Sequence, residues 1–146
     1  MAHICILNCY VKRRANLALL KDRRQLTDSE ELYLSLKESS EYIRLYGGVS
    51  DVYTAENGKM SPDLILFCFD LWQGVLEELL PDLYAVTAKI SFDDGFIFRI
   101  TADTNKETRI LHKFCHTAEK LGGVLSLTSE DETVYITLKV KGGGAV

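Results

Sequence analysis

Proline is nearly missing from this chain: Pro62 and Pro81 are the only two in 146 residues, which leaves little room for long irregular loops. No stretch of roughly eighteen residues is both apolar and free of charge, so no membrane-spanning helix is expected. The first residues also lack the basic-then-apolar order of a secretory leader. A cytoplasmic location without direct membrane contact follows as the default expectation. The four cysteines, Cys5, Cys9, Cys68 and Cys115, form no CxxC pair, and histidine is limited to His3, His112 and His116. Neither His3 with Cys5 and Cys9 nor His112 with His116 makes a complete tetrahedral ligand set, and no zincin glutamate accompanies them. They read as reduced thiols and as structural or surface histidines.

Charge is scarce in one place and gathered in another. The net charge is −4, yet the first 25 residues hold six of the seventeen Lys and Arg (Lys12, Arg13, Arg14, Lys21, Arg23, Arg24) against one acid, Asp22. The remainder is therefore distinctly acidic. A basic helix can meet nucleic acid, but this one has no aromatic interleaving beyond Tyr10 and the acidic body opposes phosphate, so no nucleic-acid partner is expected. Apolar content of 47% with 26% charged residues, at this length, describes one globular domain able to bury a single core.

Residues 3 to about 21 have helical periodicity, with Ile4, Leu7, Tyr10 or Val11, Ala15 and Ala18 on one face. Asp22 to Gln25 is a charged connection. Thr27 with Glu30 has the form of a capping box for a second helix bearing Leu32, Leu36, Ile43 and Tyr46, and Gly47-Gly48 ends it. Val49 to Ala55 is a short strand candidate closed by Asn57-Gly58. Ser61 is then an N-cap, Pro62 a first helical residue and Asp63 an acid at the positive end of the dipole. The run from Leu64 to Leu80 is apolar on most sides, as befits a buried helix, and Pro81-Asp82 stops it.

Two alternating strands follow. Val86, Ala88, Ile90 and Phe92 share one face, Asp94-Gly95 turns the hairpin, and Phe96, Phe98, Ile100 and Ala102 return on the same side. Thr104 or Asn105 is the expected cap of a helix with the stripe Ile110, Leu111, Phe114, Ala118 and Leu121, ended by Gly122-Gly123. Strands at 124–128 and 134–140, with a turn at Ser129 to Glu132, close the domain. This order predicts an α+β fold, a two-layer α/β sandwich whose mixed, mostly antiparallel sheet is covered on one face by helices. Residues 142–146 are expected to be a flexible tail.

The order of elements, the long helix before the central hairpin and the Gly122-Gly123 step into a closing strand pair resemble the C-terminal ATPase domain of sensor histidine kinases, the fold shared with gyrase B and Hsp90. Tyr10-Val11-Lys12-Arg13-Arg14-Ala15-Asn16-Leu17-Ala18-Leu19-Leu20, with Glu38-Ser39 and Tyr42-Ile43-Arg44-Leu45, is similar to a group of bacterial sensor kinases in which this helix follows the phosphoacceptor region. The resemblance implies residues 1–25 as a leading helix at the end of a dimerisation or linker region and 26–141 as the ATPase-like domain. It implies ATP and Mg2+ as cofactors where the family activity is kept, a homodimer through the leading helix, and a response regulator or the rest of a kinase as partner. A phosphoacceptor histidine with an acidic neighbour is not present, and in a fragment it would lie upstream of Met1.

By the same resemblance Glu77 or Glu78 would meet the metal, Glu78 standing where the family has its asparagine, and Asp103 would read the adenine. Asp103 is followed by Thr104-Asn105 rather than by the glycine of an Asp-x-Gly segment. Between Phe96 and Leu121 there is no glycine, and only two or three residues are expected between strand and helix, too few for the glycine-containing lid that cradles phosphates in the family. The expectation is a sensor-kinase ATPase-like domain with weak or lost ATP binding. The alternative is a non-catalytic interaction module that binds no nucleotide.

Overall fold

The computed structural model describes residues 2–21, 26–80 and 82–141. The charged connection, Pro81 and the expected tail lie outside the described residues. The elements run α1 (Ala2–Lys21), β1 (Thr27–Asp28), α2 (Glu30–Leu45), β2 (Val49–Thr54), β3 (Lys59–Met60), α3 (Pro62–Leu79), β4 (Leu83–Phe92), β5 (Phe96–Thr104), α4 (Ile110–Lys120), β6 (Gly123–Glu130) and β7 (Thr133–Val140). Five strands form one sheet in the order β2-β4-β5-β7-β6. Only the β2–β4 pair is parallel.

Alternation decides which face is covered. Phe96, Phe98, Ile100 and Ala102 of β5, with Val86, Ala88 and Ile90 of β4 and Ile136 and Leu138 of β7, are buried under the helices, while Lys89, Arg99, Asp103 and Lys139 on the other face are exposed. α2 packs on β2, α3 on β5 and α4 on β6. α1 packs on α2 and α3, placing Ile6, Cys9 and Leu17 in the core. Among the described residues no helix is long and apolar enough to cross a membrane.

Several starts and stops follow from local chemistry. Ser61 caps α3 by accepting from the Leu64 N–H, with Pro62 at the first helical turn. Asp94 and Gly95 both take positive φ in the three-residue β4–β5 turn, Asp93 to Gly95. Asp131 and Glu132 do the same between β6 and β7, so the turn is shorter than the expected 129–132 and both strands are longer.

Two expectations need correction. Thr27 does not cap α2: it pairs with Met60 in a small two-stranded ladder, and the Glu30 N–H is satisfied by Asp28 Oδ1 at 2.9 Å. Ser29, buried, instead exchanges bonds with Gly58, its Oγ accepting from the Gly58 N–H. α4 begins at Ile110, so residues 105–109 rather than two or three residues separate it from β5. Thr104 cannot open the helix because its hydroxyl turns into the domain and donates to the Asp82 carbonyl.

Candidate functional site

α3 is the element every other helix leans on. Thirteen of its eighteen residues are buried, which leaves few positions for polar chemistry. Its four acids are engaged differently: Asp63 pairs with Lys21 of α1, Asp70 with Tyr10 and Arg14 of α1, Glu77 with Gln73 of its own helix, and Glu78 with the start of α4.

The Glu78 carboxylate receives the Arg109 N–H, the backbone donor at the N-cap of α4, through Oε1. A carboxylate at a helix N-terminus satisfies an otherwise orphaned N–H and meets the positive end of the dipole. Its other oxygen, Oε2, is buried without a hydrogen bond and stands 3.7 Å from Lys113 Nζ. One turn earlier, Gly74 lets α4 press close. A Cβ there would lie 2.8 Å from Phe114 Cε2, nearer than side chains tolerate, and 3.3 Å from Ile110 Cδ1, a tight contact. Phe114 therefore lies on the α3 backbone, edge-on to Phe67 with ring centroids 5.9 Å apart.

Glu77 is exposed and points elsewhere. It accepts from Gln73 Nε2 at 3.2 Å and borders a narrow groove of about 230 Å³ between α3 and the start of α1, with His3, Ile6, Leu7 and Leu80. Asp103 lies on the uncovered face of the sheet, where Oδ1 accepts from Thr133 Oγ1 at 3.0 Å. Glu78 on the helix side and Asp103 on the open side are thus separated by the sheet itself. The inward residue at the end of β5 is Thr104, buried, with its hydroxyl donating to the Asp82 carbonyl and accepting from the Lys106 N–H. The same alternation that places Phe96 to Ala102 inward places Thr104 inward and Asp103 outward. Thr104 opens onto a broad cleft of about 710 Å³ bounded by Asn105, Lys106, Leu127, Ser129 and Glu132.

The residues that carried the closest resemblance gather at the other side of α3. Lys12 and Arg13 both bond the Glu38 carboxylate of α2, and Arg14 donates to Asp70 of α3 at 3.0 Å alongside the Tyr10 hydroxyl at 2.8 Å. Burial alone would raise the Glu38 carboxyl, but the bonds from Lys12 and Arg13 hold it below its ordinary value. Burial and the bond to Asp70 push the Tyr10 phenol up to about 12, and burial pushes the Cys9 thiol to about 11. Trp72 of α3, fully buried, donates to Ser39 Oγ of α2 at 2.9 Å. Most of the basic run is therefore spent on fastening α1 to the domain.

No protein-family profile matches the chain, and no curated protein is similar to it in sequence. Solved structures do match. The histidine kinase AdeS of Acinetobacter baumannii superposes with a TM-score of 0.60 at 12% identity, over 90% of this chain and 76% of that one. The nucleotide-free catalytic domain of histidine kinase ThkA gives 0.60 at 12% identity over 82% and 98%. The ATP-binding domain of PrrB from Mycobacterium tuberculosis gives 0.56 at 12% identity over 80% and 96%. This chain has the histidine-kinase ATPase fold. Within that fold, the C-terminal half of α3, the end of β5 and the passage into α4 are the segments to which the resemblance assigns nucleotide. Here that passage is the five residues Asn105 to Arg109, none of them glycine, drawn onto α3 by Glu78.

Proposed function

We propose that this chain is the ATPase-like domain of a bacterial two-component sensor histidine kinase, a signal-transduction protein, in which the nucleotide region has become packing and ATP binding is weak or lost. The observation that carries the reading is Phe114 seated on Gly74, because an aromatic ring fills the α3 surface that a nucleotide would need to approach. Electrostatics support it. Glu78 adds a negative charge where the family has a neutral amide, and two like charges about 4 Å apart repel by about 4 kcal/mol at an effective dielectric of 20.

The residues present do not fit ATP and Mg2+ well. Of the three assigned by resemblance, Glu78 is engaged by the Arg109 N–H with Lys113 beside it, Glu77 faces the α1 groove, and Asp103 faces away from both. Mg2+ beside a nucleotide takes one or two protein oxygens together with phosphates and water, and here one Glu78 oxygen is taken by the Arg109 N–H while the other stands 3.7 Å from the Lys113 ammonium. The test is thermal melting with Mg·ATP and Mg·ADP. A ligand at a hundred times its Kd stabilises the folded state by about 2.7 kcal/mol, so millimolar nucleotide that leaves Tm unmoved supports the proposal and a saturable rise overturns it.

A signalling role without nucleotide rests on association, and α1 supports this with a second apolar stripe. Ile4, Leu7, Val11 and Leu19 are 61%, 46%, 59% and 64% exposed, on the side of α1 opposite the buried Ile6, Cys9 and Leu17. A homodimer through this outer face is the partner we favour, with a response regulator or the remainder of a kinase as the wider context. Sedimentation of the intact chain against a Leu7→Glu/Val11→Glu variant tests it without uncovering α2 and α3. Dimer in the first and monomer in the second is expected; a monomer in both removes the dimer.

A further inference from the structure

The face of the sheet that no helix covers is organised in straight cross-strand rows. One row runs Tyr53, Lys89, Arg99, Thr137 and Ser126 from β2 to β6. The next row towards the β4–β5 hairpin holds Ser91, Ile97, Lys139 and Val124. Lys89 and Arg99 are thus directly opposite each other on neighbouring strands, an arrangement of like charges that destabilises a sheet.

An acidic protein has carboxylates to spare, and elsewhere it uses them: seven other Lys and Arg side chains are ion-paired. Among the described residues neither Lys89, Arg99 nor Lys139 has a carboxylate within 4.0 Å. Asp51, held by Lys37 at 2.9 Å, stands on β2 in the row beside Lys89, Asp103, held by Thr133 at 3.0 Å, lies one row farther, and Asp93 and Asp94 turn the hairpin without reaching any of the three cations. Arg99 Nε donates to Thr137 Oγ1 at 3.3 Å, and among the described residues its terminal nitrogens meet no acceptor. Together with Lys139 it borders a shallow basin of about 330 Å³ whose other walls are the hydroxyl-bearing Ser126, Thr128, Tyr135 and Thr137.

We propose that the Lys89–Arg99–Lys139 end of the open sheet face is a docking surface for an acidic protein segment. Three cations on three adjacent strands, hydroxyls between them and the exposed Tyr53 and Val124 at the rim make a mixed surface, with the arginine and aromatic content of protein interfaces. The partner supplies the carboxylates that this chain withholds, with apolar side chains between them. A nucleic-acid strand fits less well, because its unbroken line of phosphates would run on to Asp51, Asp103 and Glu130 of the same face, which a short acidic segment need not reach.

The test is an amide NMR titration of the intact protein with a short peptide of repeating Glu-Glu-Leu, run in parallel with a single-stranded oligonucleotide of equal net charge. Shifts centred on Lys89, Arg99, Thr137 and Lys139, weakened roughly tenfold or more in an Arg99→Glu/Lys139→Glu variant and by added salt, are expected. These positions are on the exposed face, and the melting curve of the variant checks that it folds. A peptide that shifts nothing, shifts centred on α1 instead, or tighter binding of the oligonucleotide would each overturn the proposal.

Discussion

The two sides of α3 differ in how they are closed. Towards α1 the seam is polar at its rim and apolar beneath: Glu38 and Asp70 collect Lys12, Arg13, Arg14 and Tyr10 around the buried Ile6, Cys9 and Leu17. Towards α4 the seam is closed by shape, with Phe114 against a glycine and a single carboxylate holding the helix start. The first side carries the conspicuous charged residues and uses them structurally. The second carries Glu78, one of the positions where chemistry was expected, and it holds the start of α4. Conspicuous residue types mark neither side as catalytic; what each side chain touches decides.

The comparison breaks most severely at Leu17. If α1 belongs to the core, Leu17→Ala removes a side chain only 2% exposed and costs about 2–5 kcal/mol in denaturant unfolding. A loss below about 0.5 kcal/mol would make α1 an appendage. Next is the opposite seam. Gly74→Ala forces Phe114 away and costs about 1–3 kcal/mol by overpacking. In a Phe114→Ala background the sign should reverse, since the clash is reduced and alanine is a better helix former by about 1 kcal/mol. Additive costs in that double-mutant cycle would show that the two residues do not share a contact.

Smaller effects separate the rim of the α1 seam from its interior. Glu38→Gln weakens the bonds from Lys12 and Arg13 and costs about 1 kcal/mol at neutral pH, discounted for partial exposure. Because the Glu38 carboxyl is held below its ordinary 4.5, its contribution is present above that value and is lost as pH falls through the folded value; the variant should lack this acid-side step. The alkaline limb has the opposite origin. Cys9 and Tyr10 keep their protons to about 11 and about 12 in the folded protein, against 9.0 and 10.0 ordinarily, so stability falls as pH rises across those intervals. Tyr10→Phe, costing under about 1 kcal/mol at neutral pH, should flatten the upper part of that fall in urea midpoints measured against pH.

Much of the frame was legible in the residues. Ser61-Pro62-Asp63 opens α3 by a capping side chain and a preset φ, and strict alternation places β4, β5 and β7. These signals are local, so reading them needs no knowledge of partners. Thr27 misled because Thr-x-x-Glu describes a capping box only when the chain there is free, and β3 claims Thr27 for a ladder. The site was less legible. Asp103 attracts notice as a carboxylate after a strand, while its parity along the strand, one residue from the inward Ala102, turns it to the open face. The partners of Tyr10, Lys12, Arg13 and Arg14 lie 25 to 60 residues away, beyond any periodicity. The unpaired Lys89, Arg99 and Lys139 become a group only once strand register is known.

The histidine-kinase ATPase fold persists here, and our proposal is that Phe114 and Glu78 close the surface a nucleotide would approach. Amide NMR of the intact protein titrated with Mg·ADP to millimolar concentration tests it most directly, with Gly74, Glu78, Arg109 and Phe114 as reporters. No saturable shift at these four amides is expected. A saturable shift centred on them, with α4 moving away from α3, would contradict it.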